Sequence, residues 1–103
     1  MIKVSVFYPD IAGAKFDMTY YMQTHVPMVQ KKLKPALKGF TVDKGLSGGA
    51  PGTAMTYLII AELLFNSVEE FQTAFDSHAT EIVGDIPKYT DIQPIIQISE
   101  VKL

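Results

Sequence analysis

The chain has 103 residues, 48% of them hydrophobic and 19% charged, with a formal net charge of −2. That length fits one domain over residues 1–103 with a modest core. Every basic residue is a lysine, scattered except for KKLK at 31–34, and there is no cysteine, which argues against direct base readout and excludes disulfides, thiolate chemistry and cysteine-ligated metals.

The N-terminal MIKVSVFY alternates too cleanly, and is too short, for a signal peptide. Ile2, Val4, Val6 and Tyr8 share one face of a strand and Lys3, Ser5 and Phe7 the other, with Pro9 as its end. After a loop, Asp17 is placed to cap a helix running to about Leu33, where Lys34-Pro35 stops it. KKLK then suits the negative end of that helix. A second strand is expected over Leu37 to about Leu46, followed by a mobile glycine-rich loop, LSGGAPGTA. That loop lacks the Lys-Ser/Thr and the helix that a phosphate loop needs.

The third strand, Met55 to Phe65, is apolar on both faces. Met55, Tyr57, Ile59, Ala61 and Leu63 fill one, and Leu58, Ile60 and Leu64 dominate the other. Its apolar run holds Glu62 and falls well short of the ~20 residues of a membrane span. Ser67 and Glu70 form a capping box for a second helix, expected to Val83 with Gly84 as its stop. An irregular segment, DIPKYTDIQP, leads to a last strand from Ile95 to Leu103.

The order β-α-β-β-α-β predicts an α+β, ferredoxin-like fold with both helices on one face of an antiparallel sheet. Two helices cover one face only. A second copy is the economical cover for the other, which predicts a homodimer closing as a dimeric α+β barrel.

At helical spacing Met18, Met22, His25, Val29 and Leu33 form one stripe, flanked by Tyr21 and Met28. Pro27 falls opposite, toward solvent. It removes the backbone bond to Gln23, so a gap beside His25 is expected, with the imidazole as a titratable group in a cleft. A satisfied core histidine is the plainer reading. On the second helix Val68, Phe71, Phe75, Ala79 and Ile82 make the core stripe, and His78 lies at its edge. Asp85 and Tyr89 are candidates to line a pocket, while Asp91 serves as a turn cap. No HxH or HxxxH spacing is present, so no metal site is expected.

FDMTYYMQTHVPMV, GLSGGAPG, LLFNSVEEFQTAF and DIPKYTDIQPIIQISEV, taken together, resemble the EthD family, named for a protein of ethyl tert-butyl ether degradation. The resemblance covers nearly the whole chain. It implies the dimeric α+β barrel superfamily, whose members include polyketide cyclases, cofactor-free monooxygenases and muconolactone isomerase, and which bind small apolar or aromatic ligands between helices and sheet. The family's His-x-Pro histidine matches His25, and its tail motif maps onto Asp85, Pro87, Tyr89 and Asp91 as pocket candidates.

The expectation is a cytoplasmic protein of small apolar organic metabolism. As a cofactor-independent enzyme it would use His25 as general acid or base. Tyr21 and Tyr89 would hold a substrate oxygen, and Phe7, Met22, Phe71, Phe75 and His78 would belong to the binding site. The alternative is a non-catalytic accessory or ligand-binding dimer. A weaker third is haem binding through His25 or His78. No nucleic-acid or membrane partner is expected.

Overall fold

A computed structural model describes all 103 residues. Four strands, β1 (Ile2–Pro9), β2 (Gly39–Lys44), β3 (Tyr57–Phe65) and β4 (Ile95–Glu100), form one antiparallel sheet in the order β2-β3-β1-β4. The α+β, ferredoxin-like architecture follows as the element order predicted. No helix is long and apolar enough to cross a membrane.

The first helical stretch begins as α1 (Met18–Tyr20), passes through a π-helical turn over Tyr21–His25 and continues as α2 (Val26–Leu33). Asp17 caps it through a bond from the Tyr20 N–H, as its position suggested. The π turn was not anticipated, and Pro27 accounts for it. Without a proline N–H the α-helical bond to Gln23 cannot form, and the Val26 N–H reaches back to the Tyr21 carbonyl instead. The wider turn rotates the face that follows. Tyr21, His25, Val26, Val29 and Leu33 are buried, whereas Met22, expected in the core stripe, is 43% exposed.

The second helical stretch is not continuous. α3 (Val68–Asp76) starts at Ser67, whose hydroxyl accepts from the Glu70 N–H, and breaks at Ser77 and His78. The chain restarts as α4 (Ala79–Asp85) and tightens into a 3-10 turn, Ile86–Lys88. Gly84 therefore does not end a helix. Its φ is not positive, and the α-helical winding persists to Asp85 before Pro87 intervenes. Val68, at the first turn, is exposed rather than core.

The core lies between these helices and one face of the sheet. Val4, Leu63 and Phe65 from the strands meet Val29, Leu33, Phe71 and Ile82 from the helices. A second cluster joins Tyr8, Tyr21, Val26, Ile59, Tyr89 and Ile92. The opposite face carries Phe7, Ile60, Leu64 and Ile95, set side by side by the pairings Phe7↔Ile60 and Phe7↔Ile95. No helix covers it. The register shifts between Tyr8 and Pro9, and past that shift the Tyr57 ring packs on Phe7 at 4.8 Å, not in the core where simple alternation placed it.

Candidate functional site

Between helices and sheet lies an apolar cavity of about 130 Å³. Phe40, Ala61 and Leu63 from the sheet and Phe71, Phe75 and Ile82 from the helices supply much of its wall, and Val83, Ile86, Pro94 and Ile96 also line it. Val83 and Ile96 are exposed, which places its mouth between α4 and β4. His25, 6% exposed, brings the imidazole to this wall, with Tyr8 and Tyr21 beside it. The volume is close to the ~150 Å³ at which a dry apolar cavity takes up benzene.

Four tyrosines and one carboxylate organise the imidazole. Asp85, at the end of α4, accepts from His25 Nδ1 at 2.9 Å on Oδ2 and from the Tyr20 hydroxyl at 2.7 Å on Oδ1. An ionised carboxylate only accepts, so the His25 proton sits on Nδ1 and Nε2 offers its lone pair. The Tyr89 hydroxyl donates to Nε2 across a long 3.4 Å, and the Tyr8 hydroxyl donates to Tyr89 at 2.7 Å. The Tyr21 and His25 rings stack at 5.6 Å and 18° across the π turn.

Tyr89 is held in place from the other end of the chain. The Asp17 N–H donates to the Tyr89 carbonyl at 2.7 Å, Thr90 Oγ1 donates to the Lys15 carbonyl, and Asp91 accepts from the Lys15 N–H at 2.9 Å. The segment that read as an irregular bridge thus locks both Asp85 and Tyr89 against the start of the first helix.

Burial holds the His25 imidazole below its ordinary 6.5, and Asp85 only partly offsets this. Burial alone would raise Asp85, but the bonds from Tyr20 and His25 outweigh it and keep the carboxyl below its ordinary 3.8. Burial raises the phenols of Tyr8, Tyr21 and Tyr89, so all three remain hydrogen-bond donors. At neutral pH the site is therefore a neutral imidazole oriented by a carboxylate.

These shifts carry a sign for stability. Both groups have depressed folded values, so their contribution is complete above the unfolded values and is lost as pH falls. Below 6.5 the unfolded imidazole gains a proton that the buried one resists. Melting temperature is expected to fall between about pH 7 and 5, and the His25→Gln protein to show a flatter slope over that window. Identical slopes would mean that His25 is not the group responsible.

Of the residues singled out from sequence, His25, Tyr21, Phe71, Phe75, Asp85 and Tyr89 come together around the cavity or its hydrogen-bond chain. Three do not. Phe7 points to the opposite face of the sheet, as strand alternation dictates. Met22 is turned outward by the π turn. His78 sits in the break between α3 and α4, partly exposed, with Nδ1 3.9 Å from Glu81. Tyr8 and Tyr20 were not singled out. Their partners, Tyr89 and Asp85, lie 81 and 65 residues away, and neither position carries a local signal of them. No three His, Asp or Glu side chains converge closely enough to hold a metal ion.

The EthD domain family matches residues 9–93 of the chain. Among solved structures, an EthD-like protein from Ralstonia eutropha JMP134 is 45% identical, with a TM-score of 0.94, covering 99% of this chain and 92% of that one. An ethyl tert-butyl ether degradation (EthD) family protein from Bacillus halodurans C-125 is 19% identical, with a TM-score of 0.69 and 99% of each chain covered. The hydroxynitrile lyase of Passiflora edulis is 16% identical, with a TM-score of 0.72, covering 98% of this chain and 93% of that one. The last two likenesses are of fold alone. No curated protein matches the chain.

Proposed function

This chain belongs to the EthD family, and on that premise we propose that it transfers protons on small apolar organic molecules, with His25 as the general acid or base. The observation that carries this reading is the buried imidazole on the wall of an apolar cavity, with Nδ1 committed to Asp85 and Nε2 met only by a long bond from Tyr89. A histidine that is neutral near pH 7, held in one tautomer by a carboxylate, is what proton abstraction requires. The long Tyr89 contact lets an incoming ligand take its place, because a bond of 3.4 Å is weaker than one of normal length. The cavity suits a molecule of about one six-membered ring, whether aromatic, ether-like or a polyketide fragment.

The test is proton exchange. The protein in D2O is offered a panel of small cyclic ketones, nitriles, phenols and ethers, and exchange of carbon-bound hydrogens is followed by NMR. His25-dependent exchange on any of them supports the reading, and its absence on all of them overturns it. A second reading, a carrier without chemistry, draws on the nearly unbroken apolar wall. It is separated by His25→Gln, which would then leave every function intact.

A homodimer belongs to the same proposal. The uncovered face with Phe7, Tyr57, Ile60 and Leu64 is what a second copy would shield. Sedimentation at micromolar concentration is expected to give a dimer, and Ile60→Asp a monomer. A wild-type monomer at that concentration would refute the pairing.

A further inference from the structure

Three of the four tyrosines around His25 spend their hydroxyl groups inside the protein: Tyr20 on Asp85, Tyr8 on Tyr89, and Tyr89 on His25. Tyr21 makes no such bond, although it is 2% exposed and among the largest fully buried side chains. Buried hydroxyls are almost always paired. No buried side-chain oxygen or nitrogen in this protein is both sealed and unpaired, so the Tyr21 hydroxyl must meet open space. Tyr21 is also one of the residues that line the cavity. An unpaired donor therefore stands beside the imidazole it stacks on.

We propose that the cavity's ligand carries a carbonyl group, that the Tyr21 hydroxyl donates to its oxygen, and that His25 moves a proton on the adjacent carbon. This rests on the acid–base reading above and narrows it to a substrate class. Ethers and alcohols could also accept from Tyr21, but their carbon-bound hydrogens are not acidic enough for imidazole. A carbonyl supplies both the acceptor and the activated C–H. The cavity volume limits the ligand to about a six-membered cyclic ketone.

The step balances without a further reactant. The C–H bond beside the carbonyl breaks and its proton passes to Nε2. The electron pair forms a carbon–carbon double bond, and the carbonyl π pair moves to oxygen, where the Tyr21 O–H meets the developing charge. Return of the proton gives the ketone or, where a double bond is conjugated, its isomer. Asp85 meanwhile stabilises the imidazolium.

The probes are cyclohexanone and methylcyclohexane, which share a ring and differ in the oxygen. Binding is followed by NMR titration, and exchange at the carbons beside the carbonyl by deuterium incorporation. The wild type is expected to prefer cyclohexanone, and Tyr21→Phe to reduce that preference about five- to tenfold. Exchange is expected to fall about 10²–10³-fold in Tyr21→Phe and about 10²–10⁴-fold in His25→Gln. If exchange falls in His25→Gln but Tyr21→Phe exchanges and binds like wild type, the carbonyl inference fails and the acid–base reading stands. Activity confined to nitriles or phenols of the panel likewise overturns the carbonyl inference alone. Exchange that persists undiminished in His25→Gln overturns both.

Discussion

His25→Gln is expected to lower turnover by about 10²–10⁴-fold, the usual contribution of positioned acid–base catalysis, while ligand affinity changes little. Glutamine occupies a similar volume and can bond to Asp85, so the cavity wall survives. What is lost is a lone pair that takes a proton near neutral pH. The split between rate and affinity is therefore the diagnostic readout. In the wild type, activity is expected to decline on the acid side with a midpoint below 6.5, because burial sets the imidazole below that value and the base works only when neutral. Comparable losses in rate and affinity would indicate that His25 holds the cavity together and does no chemistry.

The second large effect is expected at Asp85. Its two oxygens accept from different donors, Tyr20 on one and His25 on the other. In Asp85→Asn only one oxygen remains. If it stays with Tyr20, the amide N–H₂ faces Nδ1, and the His25 proton moves to Nε2, where it blocks the base. Loss of the right tautomer in a serine-protease triad costs about 10⁴-fold, and a loss of at least ~10²-fold is expected here on the same logic. Adding Tyr20→Phe removes the donor that favours the inverted amide, so the double variant is expected to recover part of the rate. Asp85 also raises the imidazole against the effect of burial, so its removal shifts the acid limb of the pH profile to lower pH. An Asp85→Asn protein with wild-type rate and profile would show that the carboxylate orients nothing.

Strand and helix positions were legible in the chain because their periods are local. Alternation over Ile2 to Tyr8 and an apolar run over Met55 to Phe65 marked two strands, the second of which starts at Tyr57, and Asp17 and Ser67 marked two helix starts, both of which form. The oddity of His25 beside Pro27 was legible too. Its resolution was not, since whether a missing N–H yields a bend or a π turn depends on which winding the surrounding packing accepts. That choice decided the fate of Met22 and the stacking of Tyr21 on His25.

By itself the sequence determined the strands, the two helical stretches, a third strand apolar on both sides, and an imidazole set among core residues. Only the tertiary structure decided that this imidazole meets Asp85, 60 residues later, and Tyr89, 64 residues later. The reason is that spacing constrains neighbours within one element, whereas a pairing across such separations exists only once helices, sheet and the Tyr89–Asp91 strap have packed against one another.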